Sequence, residues 1–494
     1  MLKKLAVHLA ITVLTGGALA GSALAQARGA LAYAPTASCN ASKSTLDGWF
    51  SGGTITKNGM VNAANGAAFP PRQNTACDFY KWGAQMFLWL TSPTNGVRVF
   101  DGPLFFDIVS GTDPKDPKLT LKFQPNTGAN NNAFAVRSVK PIDATSVAQA
   151  GGGGVLVSQS GALTFYGIHA NDVYAYYRTA QYDKKLSGSL TNNFPTSAAD
   201  VAAVAKAVGK TFADANALSL ELKTSWVPVS AVQDATRYVV INAVVPTYTK
   251  NKANTVWTET GTATQALALV GFHVVGTVNG HPEMVWATFE HADNAPDAAY
   301  NYQFVIRPSP FSPPIPVTIP VPYNSSGTWT FMKSGNPNPG SVTERATFKA
   351  GTGGAANTIV ASSGNTIGAS DVVRLNPWGD PPANGPQTPA TMQNSFQLVT
   401  LNADIMTALG AVGDVRANYF QSGSIWTANG TIPPDGKDPE LRGSLYTANA
   451  TMETFHQHPQ VTGFAVKNCF TCHGGTAGQG ITTSHIFSSI APLK

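Results

Sequence analysis

Charge is scarce in this chain. Only 12% of its 494 residues are Asp, Glu, Lys or Arg, and the basic ones are scattered rather than gathered into blocks. That scarcity disfavours long charged surface helices, and the scatter excludes a nucleic-acid-binding stripe. Cysteine is scarcer still: Cys39, Cys77, Cys469 and Cys472 are all there is. A zinc knuckle needs four ligands at short spacing, and Cys39 and Cys77 lie too far upstream of the C-terminal pair to complete one. A thioredoxin-like redox pair needs a preceding strand and a long following helix, whereas only residues 474–494 follow His473. No Gly-x-Ser-x-Gly elbow, phosphate-binding loop or His-Glu-x-x-His occurs, so hydrolase and NTPase readings have no foothold. No flavin or nicotinamide fingerprint and no 20–50-residue repeat is present either.

What is present near the C-terminus is Cys469-Phe470-Thr471-Cys472-His473, the Cys-x-x-Cys-His signature of covalent c-type haem attachment. The spacing follows from the chemistry. Two thiols must reach two vinyl groups on one edge of a porphyrin, and the adjacent imidazole turns under the ring to bind iron. Cys469 and Cys472 are therefore expected to carry one haem c through thioethers, with His473 as the proximal iron ligand. A thioether-bound haem cannot dissociate, which suits a protein exported from the cell.

The N-terminus predicts such export. Met1-Leu2-Lys3-Lys4 is a basic n-region, residues 5–19 are largely apolar, and Gly21-Ser22-Ala23-Leu24-Ala25 supplies small residues for cleavage. The apolar run is short of the ~20 residues of a membrane span and is broken by Gly16-Gly17. An uncleaved anchor is the competing reading. The expected location is periplasmic, with an extracellular one open, and no membrane span after cleavage. In that oxidising space Cys39 and Cys77 either close a disulfide or remain two buried thiols. The formal charge of +5 includes Lys3 and Lys4, leaving at most a faint bias toward acidic redox partners.

The expected fold class is α+β: a large β-rich body with a few helices and a short C-terminal haem-binding segment. Gly (47) and Pro (33) are abundant, which favours strands and loops. The expected division is a signal peptide over 1–25, an arm over 26–75, a β-rich body over 76–334, a loop-rich linker or insertion over 335–386, and a helical region with the haem site over 387–494. Tyr80, Trp82, Met86, Phe87 and Leu90 fall at helical spacing, so 79–90 reads as a buried helix. Ser197 is a plausible N-cap for an alanine-rich helix over 197–222. Strands are expected over 97–106, 119–123, 154–157, 163–166, 173–178, 224–229, 238–245, 266–278 and 283–290. The last two form a hairpin across Asn279-Gly280. Further helices are expected over 388–409 and 440–457, and 308–322 reads as extended.

Three segments carry a family resemblance. One is Trp82-Gly-Ala-Gln-Met-Phe-Leu-Trp-Leu-Thr-Ser-Pro93. A second runs from Ala268-Leu-Val-Gly-Phe-His-Val-Val275 into Met284-Val-Trp-Ala-Thr-Phe-Glu-His-Ala-Asp-Asn-Ala-Pro296. The third is Leu445-Tyr-Thr-Ala-Asn-Ala-Thr-Met-Glu-Thr-Phe-His-Gln457, closing with the haem motif. Together they resemble a group of large secreted bacterial monohaem cytochrome c-like proteins. The resemblance implies a haem-binding, electron-transferring protein and supplies no substrate.

The residue opposite His473 is open at this stage. No Met follows the motif, unlike in small Met/His cytochromes. His485 lies in the tail, and the residues between can span about 36–40 Å when extended. Tails similar to this one also carry a Ser-His-Ile element like Ser484-His485-Ile486, which favours His485. Met452, His456 and His458 precede the motif, with Met452 and His456 on one face of the expected helix. The sequence is equally compatible with an open distal site or with a ligand from a remote part of the chain. His273, His281 and His291, with Glu283 and Glu290, cluster along the hairpin; structural roles are favoured over a metal site, because Glu290 and His291 point to opposite faces. Two functions remain. One is electron transfer to a redox protein or a small-molecule donor or acceptor. The second is a haem-dependent, peroxidase- or oxygenase-like oxidoreductase with a substrate pocket in the β-rich body.

Overall fold

The computed structural model describes residues 38–69, 75–114, 116–126, 154–306, 315–324, 326–336, 346–362, 364–379, 389–457 and 468–494. The expected signal peptide (1–25), the Asn-rich cluster at 130–132 and His458 lie outside these residues.

One long strand organises the molecule. A two-residue ladder pairs Pro93–Thr94 with Val97–Arg98; the longer strands, in chain order, are β1 (Phe105–Ser110), β2 (Leu121–Pro125), β3 (Phe165–Asn171), β4 (Leu220–Pro228), β5 (Val240–Lys250), β6 (Val256–Val278) and β7 (His281–His291). They continue with β8 (Tyr300–Ile306), β9 (Ile315–Val321), β10 (Ala346–Lys349), β11 (Thr358–Ala361), β12 (Tyr419–Thr427) and β13 (Leu441–Gly443). The main sheet runs β13-β12-β7-β6-β4-β3-β1-β2, with β5 and β11 pairing to β6 and β10 pairing to β11. All these pairings are antiparallel. β8 and β9 make a separate hairpin. The β6–β7 turn is the two-residue Asn279-Gly280 connection, with Gly280 at φ 82°. Positive φ at this second turn position alone is a conformation that glycine adopts without steric cost.

Side chains alternate across this sheet, and both faces are apolar. Leu220, Leu222, Phe272, Val274, Val285, Ala287 and Phe289 share one core with α2 (Ala76–Leu90) and α5 (Pro389–Ala411). There Phe87 stacks on Phe289 with centroids 4.4 Å apart, and Phe79 on Trp426 at 4.1 Å. A Cβ at Gly83 would lie 2.8 Å from that of Ala287, so glycine lets α2 approach β7. The opposite face presents Val275, Met284, Trp286 and Ile425. It packs against α3 (Asp172–Tyr182), α4 (Ala198–Val208) and the C-terminal tail. A shorter helix, α1 (Lys43–Trp49), precedes α2, and α6 (Cys469–His473) completes the six α-helices among the described residues. The fold is α+β and β-rich. No described helix is long and apolar enough to cross a membrane.

Several expectations change. Residues 173–178 are helical, not extended. Asn171 accepts from the Tyr174 N–H as N-cap, and Val173, Tyr174, Tyr177 and Ala180 bury one helical stripe. The alanine-rich helix starts after Ser197 as expected, but Gly209 in the left-handed conformation ends it, and Leu220 already belongs to β4. Residues 440–457 form no α-helix: β13 and a 3₁₀ turn at Thr454–Gln457 replace it. Asn449 explains this, since its amide binds Thr288 Oγ1 and the Phe289 carbonyl, tying the segment to the sheet. Residues 154–157 contribute only isolated bridges. The regions expected as linker and as helical C-terminus both donate strands to the main sheet, β10 and β11 from one and β12 and β13 from the other.

Cys39 and Cys77 are disulfide-bonded, joining the N-terminal arm to the first turn of α2. At the other end of α2, buried Arg416 donates to the Leu88 carbonyl and to Ser92 Oγ, and Asp414 pairs with its guanidinium. A Cys39→Ala/Cys77→Ala variant is expected to lose about 2–4 kcal/mol of unfolding free energy. Urea titration at neutral pH checks this.

Candidate haem-attachment site

The segment that carries the motif is a single helical turn. Asn468 caps α6 by accepting from the Phe470 N–H, while its own backbone N–H donates to Thr471 Oγ1 at 3.3 Å. The Asn468 amide also donates to the Gly436 and Leu445 carbonyls, fastening the cap to the preceding loop. Phe470 is fully buried and meets Trp286 of β7 edge-on, with centroids 5.7 Å apart. Gly474 follows the turn because a Cβ there would run into the Pro434 carbonyl.

Cys469 and Cys472, three residues apart on this turn, share one side of it. Neither is disulfide-bonded. Cys469 Sγ lies 3.4 Å from Thr447 Oγ1. Burial pushes the Cys469 thiol up to about 12, against the hydrogen bond from Thr447. A thiolate nucleophile or metal ligand needs the opposite shift. A thioether sulfur carries no charge, so the same burial costs it nothing.

His473 is oriented by the tail. Its Nδ1 is 2.9 Å from the Thr483 carbonyl, which can only accept, so Nδ1 carries the proton and Nε2 holds the ring's lone pair. This is the tautomer and outer-shell support that a metal-binding histidine requires. The Trp286 ring lies 4.2 Å from that of His473. Paired thiols on one turn and an imidazole held with Nε2 as its basic nitrogen fit a thioether-linked haem.

His485 does not stand opposite His473. The two rings are stacked face to face, with centroids 3.7 Å apart and 16° between planes, and His485 Nε2 donates to the Cys472 carbonyl at 2.8 Å. Two axial imidazoles would approach an iron end-on from opposite sides, whereas in this arrangement His485 braces the His473 ring. The tail is pinned there. Ser484 Oγ bonds Glu221 Oε2 at 2.6 Å and the Tyr174 hydroxyl at 2.9 Å, while Ile486 and Phe487 are buried. Beyond them, Leu121 and Ile490 form a parallel bridge. Met452 is buried with its methyl end beside Gly271, and without the expected helix it shares no helical face with His456.

The hairpin histidines diverge. His281 pairs with buried Glu283 at 2.9 Å, and His291 stacks on Tyr238 at 3.6 Å, where burial holds its imidazole down at about 3. Glu290 belongs to a buried pair with Arg374. No group of three potential metal-ligating side chains occurs among the described residues. His273 instead faces the haem segment's side of the sheet. Its Nε2 lies 3.0 and 3.1 Å from the two Glu453 carboxylate oxygens, and Lys223 Nζ lies 3.3 Å from one of them. Burial opposes the Glu453 charge, yet the His273 and Lys223 side chains and the Asn449 N–H hold its carboxyl well below the usual range. Burial also pulls the Lys223 ammonium down, against Glu453 and the nearby Cys472 and Cys469.

Lys223, Glu453, Thr483 and Trp286 are absent from the expected site residues. Only a charged residue on a mostly apolar strand hinted at Lys223. Comparison with protein-family profiles, curated proteins and solved structures finds no match.

A depressed carboxyl contributes stability above its unfolded pKa, about 4.3 for Glu, and loses it as pH falls below that. Glu453→Gln is therefore expected to cost about 1.5–3 kcal/mol at neutral pH. The deficit should shrink in acid, where Glu453 of the unfolded chain takes up a proton that the folded carboxylate still resists. Urea titrations at about pH 7 and pH 3 read both effects.

Proposed function

We propose that this protein is an exported monohaem c-type cytochrome. Its haem is held by Cys469 and Cys472, with His473 as proximal ligand, and its role is electron transfer with a redox protein or a small-molecule donor or acceptor. The observation that carries the reading is the His473 Nδ1–Thr483 bond beside two cysteines, neither in a disulfide, on the same helical turn. The haem supplies one-electron exchange. The chain's own residues do the rest: Thr483 sets the tautomer of His473, His485 and Trp286 restrict its ring, and Asn468 holds the turn that spaces the thiols. The N-terminal signal supports periplasmic placement, where haem attachment and the Cys39–Cys77 disulfide both belong.

A second reading, a haem-dependent oxidoreductase, draws support from one feature. The Lys223–Glu453–His273 cluster places acid–base groups near the thiols.

Produced in a host that matures c-type cytochromes, the protein is expected to keep its haem on the polypeptide through acid-acetone extraction. Cys469→Ala or Cys472→Ala should leave one thioether, and the double variant should leave no covalent haem. Free haem in the extract of the wild type, or a stoichiometric zinc content, overturns the assignment.

Because Ser484 ties His485 to the proximal side, His485→Ala is expected to leave the ferric spin state and carbon monoxide uptake of the reduced protein unchanged. A shift to high spin with newly rapid carbon monoxide binding makes His485 the second axial ligand after all.

A further inference from the structure

We infer that the Lys223–Glu453–His273 cluster is a proton-exchange site linked to the redox state of the attached haem, taking up one proton for each electron received. The inference rests on the haem reading above and adds a function for residues that the reading does not use.

Its basis is geometric. Lys223 on β4 and His273 on β6 are directly opposed in the sheet register, so both project from the same face. Glu453 comes from the segment covering that face, and both side chains meet its Oε1, His273 at 3.1 Å and Lys223 at 3.3 Å. Two proton carriers thus share one carboxylate. The three side chains are 15, 12 and 19% exposed, sheltered enough to act strongly on a neighbouring charge yet open to solvent protons. Lys223 lies within electrostatic reach of Cys472 and Cys469, which sets the cluster near the haem edge that those sulfurs would hold.

Among the described residues, β3 and β4 bring two further ionisable groups to this face, each with its own partner. Tyr166 of β3 lies with its ring 5.8 Å from Lys223 Nζ and donates its hydroxyl proton to the Thr451 carbonyl. Glu221, two residues before Lys223, accepts from Ser484. Cys469 and Cys472 would no longer titrate as thioethers. Reduction removes one positive charge from the iron, so a nearby cation becomes more favourable. One electron enters from an external one-electron donor, such as a mediator dye. One proton enters from solvent onto Lys223 Nζ or onto His273 Nδ1, since His273 Nε2 already donates to Glu453, and reoxidation returns both.

The experiment is a mediated redox titration of the holoprotein between about pH 5 and 9, read from the haem spectrum. The midpoint potential should fall with rising pH, approaching about 59 mV per tenfold drop in proton activity where one proton is coupled. In Lys223→Arg/His273→Gln, the arginine keeps a fixed charge on Glu453 and the glutamine keeps a donor. That variant should retain the c-type spectrum and lose the slope. A wild-type potential that does not vary with pH overturns the inference while leaving the haem assignment standing. A slope that persists in the double variant also overturns it and assigns the proton to the haem's own carboxylates. A polypeptide without covalent haem overturns both readings together.

Discussion

The segment that carries Cys469, Cys472 and His473 has no fold of its own. Five helical residues cannot hold a conformation in water, because nucleating a turn costs more than so short a helix returns. Everything that orients Cys469, Cys472 and His473 therefore comes from one face of the main sheet and the segments lying on it. Trp286 of β7 supports Phe470 and His473, Glu221 of β4 anchors Ser484, and the Thr483 carbonyl fixes the imidazole. The dependence also runs the other way. Phe470, Ile486, Phe487 and Ile490 fill the core on that face, which would otherwise leave Val275 and Met284 in water. Burying each such side chain is worth about 1.5–3 kcal/mol, so the tail is part of the fold and not an appendage.

Local features of this arrangement were legible in the sequence. The aromatic stripe of α2, the Asn279-Gly280 hairpin and the Ser197 cap each rest on a few adjacent residues, and each forms. The Cys-x-x-Cys-His turn is local as well. Two segments misled. Tyrosines at 174, 176 and 177 read as strand formers, but Asn171 opens a helix whose buried face Tyr174 and Tyr177 help fill. Residues 440–457 carry helical composition, yet buried Asn449, Thr451 and Thr454 bond to the sheet and to their own turn instead. The Lys223–Glu453 contact spans 230 residues and His273–Glu453 spans 180. No periodicity or motif reports a pairing at that range; only the register of β4 on β6 creates it.

A charge cluster on a largely apolar sheet is costly unless its geometry is fixed, since removing one partner strands the others. Here the fixing is done by a chain of neutral and ionic bonds around Glu453. Ser225 meets Thr451 at 2.7 Å, the Ala450 N–H donates to Glu290, and Glu290 is itself held by Arg374. The Asn449 N–H donates to Glu453 directly. The carboxylate is thus placed before any cofactor chemistry occurs, and it does not have to reorganise when charge nearby changes. On the proposed reading this is what a body several times larger than a small cytochrome contributes. The same sheet that buries the haem segment also carries Lys223 and His273, two strands wide and in register. The groups meant to respond to the iron are therefore set by backbone pairing, which is far stiffer than any loop could supply.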